Sequence, residues 1–340
     1  MWCTFVQHRE RMPMDILGTC RGIVKQDRRS RRGRMFSMLM GRVARMYYEL
    51  GLTHQEIADA LGLSRVRVTR LLAEARDSGM VEIIVHVEES LFAAEEQALL
   101  SRYGLRQAWI APSVDDPAKA SRAMATVGAE ALASVIDKDT TVAMGLSTAV
   151  AAVVDAFPAR SLGARFVPLT GSSSGLANGA NPHELTLALA RRTDGSAFHL
   201  PAPLVAATPQ AAESAYADPG VRDVLARAAE ASTLIAGIGS THDSRGLLFG
   251  SLSERERAAL HEAGAIGDIG GRFFDANGAP VRGELDSRVV GLDLDQLRAI
   301  PHRLAIAAGA AKLDAVRTAL SSGMVNMLVT DSNTVTALLD

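Results

Sequence analysis

Three arginines and one threonine lie close together in the stretch SRVRVTRLL, at positions Arg65, Arg67, Thr69 and Arg70. A guanidinium group forms paired hydrogen bonds with guanine edges and with phosphate oxygens, and a hydroxyl group can serve either. Side chains of these types on one helix therefore predict contact with double-stranded DNA. The alternative is a helical hairpin whose basic face is only solvated.

Two short helices joined by a glycine turn are predicted to carry these residues. Thr53 and Glu56 form a capping box at the start of the first helix, and Gly62 ends it, since glycine enters the left-handed conformation at little cost. Ser64 is a suitable N-cap for the second helix. The expected apolar positions of that helix are Val66, Val68, Leu71, Leu72 and Ala75. This arrangement is a helix-turn-helix. Its predicted DNA-binding residues are Thr53, Gln55, Ser64, Arg65, Arg67, Thr69 and Arg70.

The neighbouring residues extend this motif to a winged domain at 41–88. The segment GRVARMYYELG at 41–51 is predicted to form a helix behind the other two. The segment MVEIIVHVEE alternates apolar and polar residues as a strand or β-wing does. Residues 1–40 have little periodicity, so we predict a disordered basic leader, or an extension from a misplaced start codon.

From about residue 105, short apolar segments alternate with helical ones. The strand-like segments are QAWIA, TVAMG, RFVPLT, AFHLP, TLIAGIG, HRLAIAAG and NMLVT. Helices are predicted at 118–136, 147–157, 183–193, 221–231, 254–263 and 310–321. This alternation predicts an α/β fold with a Rossmann-like, mainly parallel sheet covered on both faces. An amphipathic helix at 89–104 is predicted to link this domain to the first, or to pair with a second copy of itself.

Glycines, small hydroxyl residues and charged residues recur where the predicted strands end. The carboxyl ends of parallel strands are where such sheets bind ligands, and a helix start with free N–H groups binds phosphate or sugar oxygens. The predicted effector-binding residues are Gly145, Ser147, Thr148, Gly171, Asn181, Gly239, Asp268, Asp275 and Lys312. Any one of the glycines can instead serve backbone geometry alone, and Asp275 can instead be a turn residue in FFDANG.

Lys312 is the most informative of these residues, because the chain has only 4 lysines against 32 arginines. It lies at the predicted start of a helix, where a cation opposes the helix dipole and needs an anion nearby. A phosphate or carboxylate ligand would supply that anion. The alternative is a solvated surface lysine.

The charge distribution separates the two parts of the chain. Residues 1–80 carry 15 Lys/Arg and 8 Asp/Glu, whereas the remainder carries 21 and 30. A basic N-terminal part on an acidic body is typical of a DNA-binding arm joined to another domain. Both cysteines, Cys3 and Cys20, precede the predicted domains, and the histidines have no metal-ligand spacing. We therefore expect no disulfide, metal or cofactor in the domains, and a cytoplasmic protein without a membrane span.

The chain resembles the SorC family of bacterial transcriptional regulators, which is grouped with the DeoR regulators of sugar catabolism. The segments that carry this resemblance are GLTHQEIADALGLSRVRVTRLLAEARDSGMVEI, LPAP, GIG, GAIGDIGGRFFDANG, RVVGLDL, AAGAAKLDAV and VNMLVTD. They occur in order from about residue 41 to the end of the chain.

The resemblance implies a DNA-binding domain and an effector and oligomerisation domain at 105–340, similar to sugar-phosphate isomerases but without their catalysis. It implies a homo-oligomer, dimer or tetramer, that binds a palindromic operator and responds to a sugar, polyol or sugar phosphate. Lys312 would contact the phosphate of the effector, with Gly145, Ser147 and Thr148 at the same end of the pocket. Asp268 and Asp275 would contact its hydroxyl groups. The alternative function is an isomerase or deaminase with an added DNA-binding hairpin, in which Asp268 would be the base.

Overall fold

A computed structural model of the protein describes residues 36–81, 90–173, 180–243 and 246–340. The chain divides into two compact units, Met1–Glu88 and Glu89–Asp340. The predicted leader up to residue 35, and the predicted β-wing from residue 82, lie outside the described residues.

The smaller unit contains three helices in its described part. Helix α1 covers 36–48, α2 covers His54–Leu61 and α3 covers Arg65–Asp77. Helix α1 is helical before residue 41, where the sequence predicts the domain to begin, because Met40 is an apolar residue that packs into the core of this unit. That core also contains Val43, Ala44, Ile57, Ala58, Val68, Leu71, Leu72 and Ala75.

The predicted helix-turn-helix is confirmed. Thr53 and Glu56 form the capping box: the backbone N–H of Thr53 donates to the Glu56 carboxylate at 2.7 Å, and the N–H of Glu56 donates to the Thr53 hydroxyl at 3.3 Å. Gly62 ends α2 with φ of 63°, a left-handed conformation that favours glycine. The Ser64 hydroxyl caps α3 by accepting from Arg67 N at 3.2 Å.

One predicted core position of this unit is wrong. Val66 is expected among the apolar, buried residues of the second helix, but its side chain is 79% exposed. The buried residues of α3 are Val68, Leu71, Leu72 and Ala75. These four follow the 3.6-residue period of one helix face, and Val66 lies on the opposite face.

The larger unit is built on a parallel sheet of seven strands in the order β1-β10-β9-β5-β2-β3-β4. These strands cover β1 Gln107–Ala111, β2 Thr141–Met144, β3 Arg165–Pro168, β4 Ser196–Ala197, β5 Thr233–Gly237, β9 His302–Ile306 and β10 Met327–Asp331. Six of them lie largely or wholly within predicted strand segments, and β4 overlaps the segment AFHLP only at Ala197. The α/β class and the parallel sheet are confirmed.

Helices cover both faces of this sheet. The helices of the larger unit are α4 Ala93–Tyr103, α5 Pro117–Val135, α6 Thr148–Ala156, α7 Pro182–Arg192, α8 Pro209–Ala217, α9 Pro219–Ala229, α10 Glu254–Glu262, α11 Glu284–Arg288, α12 Leu294–Ala299, α13 Leu313–Ser321 and α14 Ser332–Leu339. Of these, α10 and α11 contribute Leu260 and Leu285 to a separate core that also contains residues of β7 and β8. Successive strand residues point to opposite faces. Leu234 of β5 therefore packs in a core with α4, α9, α13 and α14, whereas Ile235 packs in a second core with α5, α6 and α7.

Helix α4 packs on the larger unit rather than standing free as a linker. Leu99 is fully buried in the same core as β1 and α14. The Tyr103 hydroxyl donates to the carbonyl of Leu338 in α14 at 2.9 Å. Within the described residues, no helix is both long enough and apolar enough to cross a membrane.

A second, antiparallel sheet of three strands is not expected from the sequence. It contains β6 Gly239–Ser240, β7 Ala265–Ile269 and β8 Arg272–Asp275. A two-residue turn joins β7 to β8, with Gly270 and Gly271 at φ of 61° and 84°, which is the geometry that glycine pairs favour in such hairpins. This sheet positions Asp268 beside the end of β5, because Asp268 is the register partner of Gly239.

Candidate functional site

A cleft opens at the carboxyl ends of β2 and β5, where a sheet of this class binds ligands. Four segments supply its polar side chains: the turn into α6, the β5–β6 connection, β7 and the start of α13. The structure thereby brings together five of the predicted effector-binding residues, Ser147, Thr148, Gly239, Asp268 and Lys312.

The start of α6 forms one wall of this cleft. The Ser147 hydroxyl caps the helix by accepting from Val150 N at 3.2 Å, and its side chain is buried. The first N–H groups of a helix have no partner within it, and the helix dipole adds partial positive charge there. Thr148, the first residue of α6, lines the cleft at this point. This end of the cleft suits a phosphate group or other oxygen-rich group.

Two glycines at the end of β5 allow the walls of the cleft to come together. A Cβ atom on Gly237 would lie 2.5 Å from the Ser147 hydroxyl oxygen. A Cβ atom on Gly239 would lie 1.9 Å from Oδ1 of Asp268. Any side chain at position 239 would therefore displace the Asp268 carboxyl group from the cleft.

The carboxyl group of Asp268 has a raised pKa. Its side chain is 7% exposed, and burial raises its pKa to about 6, against the opposing effects of the Gly271 N–H and the charge of Lys312. The Gly271 N–H donates to Oδ2 of Asp268 at 3.1 Å. Burial disfavours the charged form of a carboxylate when hydrogen bonds and nearby positive charges do not fully offset the loss of hydration. Asp268 is thus mostly ionised at neutral pH and suited to accept hydrogen bonds from ligand hydroxyl groups.

Lys312 lies where a single helical turn, Ala310–Lys312, leads into α13. Its ammonium group stands at the helix start, against the dipole, and its charge acts on Asp268. Lys312 and Thr148 also line a neighbouring cleft between α5 and α6, so both residues border two openings. A bound anion at this place would stabilise Lys312 and the start of α6 together.

In the connection after β5, the sequence predicted only Gly239 as an effector-binding residue. Ser240 and Asp243 also line the cleft. The Ser240 hydroxyl donates to the carbonyl of Ala311 at 2.7 Å and so holds the β5–β6 connection against the turn that carries Lys312. Residues 246–249 form an apolar wall of the cleft. The sequence did not predict this wall, because three apolar residues in a loop cannot be told apart from a segment of the hydrophobic core.

Two of the predicted effector-binding residues, Gly145 and Gly171, do not line the cleft. Gly145 does not line the cleft; a Cβ there would lie 3.0 Å from the Cβ of Ala236, so it permits close packing of β2 on β5. Gly171 donates its N–H to Val290 O at 3.0 Å, and a Cβ there would lie 2.2 Å from Pro203 O. Both glycines are required by close packing of the backbone.

Asn181 and Asp275 also lie away from the cleft. The Asn181 amide accepts from Ser173 N at 2.9 Å and donates to Ser173 O at 3.0 Å, which closes the loop before α7. The Asp275 carboxylate accepts from Asn277 N at 2.9 Å and from Ala279 N at 2.8 Å. Asp275 therefore has the alternative role expected from the segment FFDANG, that of a turn residue, because its carboxylate accepts hydrogen bonds from the backbone of its own turn.

The predicted DNA-binding residues lie on or beside α3 in the smaller unit. Arg65, Arg67, Thr69 and Arg70 are all exposed. The Arg70 Nε atom pairs with Glu74 at 2.9 Å, and the Thr69 hydroxyl lies 3.1 Å from both the Arg65 carbonyl oxygen and Nδ1 of His54. Arg65 and Arg67 leave their guanidinium groups to solvent at the start of the helix.

The remaining three predicted residues are engaged within the smaller unit. Thr53 and Ser64 cap α2 and α3 with their hydroxyl groups. Gln55 donates its amide to Asp59 at 2.9 Å. Thr53 and Gln55 thus stabilise α2, Ser64 stabilises the start of α3, and a cap does not prevent contact with phosphate.

Two family models match the chain. The model for a sugar-binding domain matches residues 88–340, and the model for a Crp-like helix-turn-helix domain matches residues 33–91. Together they span residues 33–340, and the sugar-binding match includes every residue of the cleft.

Known regulators are similar along most of the chain. The transcriptional regulator LsrR of Klebsiella pneumoniae is 31% identical over 307 residues, which is 88% of this chain and 92% of that protein. The LsrR protein of Escherichia coli K12 is 30% identical over 306 residues, 88% of this chain and 94% of that protein.

Solved structures of transcriptional regulators are also similar to this chain. The full-length sorbitol operon regulator SorC from Klebsiella pneumoniae superposes with a TM-score of 0.72 at 26% identity, covering 89% of this chain and 98% of SorC. The sugar-binding domain of a transcriptional repressor from Vibrio fischeri superposes with a TM-score of 0.67 at 27% identity, covering 72% of this chain and 97% of that domain. The chain therefore belongs to the SorC family of transcriptional regulators, in which a helix-turn-helix DNA-binding domain is joined to a sugar-binding domain.

Proposed function

We propose that the effector of this regulator is a sugar, polyol or sugar phosphate that binds in the cleft between Asp268 and Lys312. The observation that supports this most directly is the convergence of a buried carboxylate, a lysine and a helix start on one cleft. Hydroxyl groups of the effector donate to Asp268. Its phosphate, or its most electronegative oxygen, binds between Lys312 and the first turn of α6.

The experiment that tests this proposal is a thermal-shift screen of the full chain against phosphorylated sugars, free sugars and polyols. A ligand that binds the folded state raises the melting temperature. We expect a phosphorylated compound to stabilise the wild type and to lose that effect in Lys312→Ala. Lys138→Ala is the matched control, since Lys138 is an exposed lysine outside the cleft.

The outcomes of the screen separate the alternatives. If only free sugars or polyols stabilise the protein, Lys312 has no phosphate to bind and the cleft is a hydroxyl-binding site. If no compound of these classes acts, the proposed effector class is rejected. If Lys138→Ala abolishes the response as strongly as Lys312→Ala does, the assignment of the site is rejected.

DNA binding and oligomerisation form the second part of the proposal. A homo-oligomer, dimer or tetramer, presents paired recognition helices to two half-sites, so the operator is palindromic. The effector binds one arrangement of subunits better than another, and that difference in affinity alters the hold on DNA. Sedimentation of the protein with and without a duplex that carries the full operator tests the stoichiometry. A single chain on a full operator would reject it.

One observation favours a catalytic alternative: a carboxyl group with a pKa of about 6 is suited to act as a general base near neutral pH. The relatives that match this chain are named as transcriptional regulators. We expect no isomerisation or deamination of a stabilising phosphosugar when the mixture is followed by NMR. Turnover that disappears in Asp268→Asn would support the enzyme instead.

A further inference from the structure

The recognition helix presents an apolar side chain at the centre of its solvent face. Val66 is 79% exposed and lies in the first turn of α3. At 3.6 residues per turn, it points about 170° away from the mean direction of the four buried residues of this helix. Those residues are Val68, Leu71, Leu72 and Ala75.

Val66 contributes nothing recognisable to the stability of its own unit. It does not belong to the core of the smaller unit. The N-cap of α3 is the Ser64 hydroxyl, which accepts from Arg67 N. A β-branched residue is also a weaker helix former than alanine, leucine or arginine. Neither packing, capping nor helix propensity accounts for a valine at this position.

The surroundings of Val66 are those of a DNA-contacting surface. Arg65 and Arg67 flank it in the chain, and Arg70 lies one turn further along the same face. Arg70 is held by Glu74 at 2.9 Å, and the Thr69 hydroxyl is engaged by the Arg65 carbonyl and His54. The isopropyl group of Val66 lies among these cationic side chains. It is therefore the group in the first turn of α3 that points most directly toward a molecule bound on this face.

The major groove of B-form DNA has one apolar group on its base edges, the C5-methyl group of thymine. An isopropyl group forms no hydrogen bond, so it can distinguish bases only through that methyl group. We propose that Val66 is a specificity-determining residue that packs against the C5-methyl group of one thymine in each half-site of the operator. This inference rests on the DNA-binding function of the family.

The test begins with selection of duplexes bound by the full-length wild-type protein from a randomised DNA pool. Each thymine of the selected site is then replaced singly by deoxyuridine, which lacks only the C5-methyl group. Dissociation constants for wild type and Val66→Ala are measured by fluorescence anisotropy at one fixed salt concentration. Leu50→Ala is the matched control, since Leu50 is also an exposed apolar residue of this unit but lies outside α3.

We expect one thymine per half-site at which deoxyuridine weakens wild-type binding about fourfold, the factor for one buried methyl group. The same replacement should leave binding by Val66→Ala unchanged, whereas Leu50→Ala should respond as the wild type does. Val66→Ala should not melt at a lower temperature than the wild type, because the residue is exposed and alanine is the better helix former.

Two results would overturn the inference, and they are distinguishable. If the wild type selects a defined site but no thymine in it couples to Val66, the thymine contact is rejected and the DNA-binding function stands. If no sequence is selected by the wild type, both the DNA-binding function and the contact are rejected.

Discussion

Replacement of Asp268 by asparagine should change how the stability of the larger unit depends on pH. The folded-state pKa of Asp268 is about 6, raised by burial from an ordinary value of 3.8. A folded-state pKa above the unfolded value means that the folded state binds the proton more tightly. The stabilisation from that proton is fully present below pH 3.8 and is lost as pH rises through 6. A shift of about two pKa units corresponds to about 3 kcal/mol in the free energy of unfolding.

Asp268→Asn removes the titration but retains an oxygen that can accept from the Gly271 N–H. We therefore expect the variant to gain about 2 to 3 kcal/mol relative to the wild type between pH 4 and pH 7.5. The other titrating groups are common to both proteins and cancel in the difference. Asp268→Ala is the control: it should show the same pH trend, but with a constant loss of about 1 to 3 kcal/mol from the unpartnered N–H.

Urea unfolding followed by tryptophan fluorescence measures this difference. The chain has two tryptophans, Trp2 and Trp109, and Trp109 lies in β1 of the larger unit. A Trp2→Phe background makes the signal specific for that unit, which matters because two units need not unfold in one step. A difference between wild type and Asp268→Asn that stays constant from pH 4 to pH 7.5 would refute the reasoning.

Three further predictions follow from single contacts. The buried Arg272 guanidinium donates to Asp286 at 2.9 Å and to several carbonyl oxygens, so Arg272→Ala should cost about 3 to 5 kcal/mol in urea unfolding of the larger unit; a loss under 1 kcal/mol would contradict this. Gly239→Ala should abolish effector-induced thermal stabilisation, since its Cβ would lie 1.9 Å from the Asp268 carboxylate; an unchanged shift would show that the cleft tolerates the methyl group. Thr53→Ala should lower the free energy of unfolding of the smaller unit by about 1 kcal/mol through loss of the capping box, with no change in the effector response. Amide exchange of α2 measures that loss, and unchanged exchange would contradict it.

The elements with the clearest local patterns were predictable from the sequence. The segment QAWIA coincides with β1, α2 begins and ends at its predicted caps Thr53 and Gly62, and α3 begins at its predicted cap Ser64. Caps, glycine turns and buried parallel strands are determined by a few neighbouring residues, so a single sequence is enough to recognise them. The same holds for Ser147 and Lys312, which stand at strand-to-helix turns.

The β6-β7-β8 sheet was not predictable in this way. Three glycines interrupt the alternation of AIGDIGGRFFD, and a strand that carries a buried aspartate departs from the usual pattern. The same sheet decides which carboxylate faces the cleft: Asp268 does, whereas Asp275 closes its own turn. That difference comes from tertiary pairing, which local patterns do not contain.

Val66 shows a different limit of prediction from the sequence, because an apolar residue inside a predicted helix need not be buried. Its type matches the apolar positions of α3, yet it lies on the solvent face because its place in the 3.6-residue period is opposite the buried residues of the helix. Periodicity over a 13-residue helix defined the face of Val68, Leu71 and Leu72, and a valine outside that face indicates a contact beyond the unit.

The most direct test of the central proposal is a titration of the selected operator duplex with the full-length protein, with and without the stabilising effector, followed by fluorescence anisotropy. Coupling between the effector cleft and DNA binding predicts a change in the operator dissociation constant of about 5- to 150-fold. The change should be absent in Lys312→Ala and retained in Lys138→Ala. Equal operator affinity with and without saturating effector in the wild type would contradict the proposal that the cleft controls DNA binding.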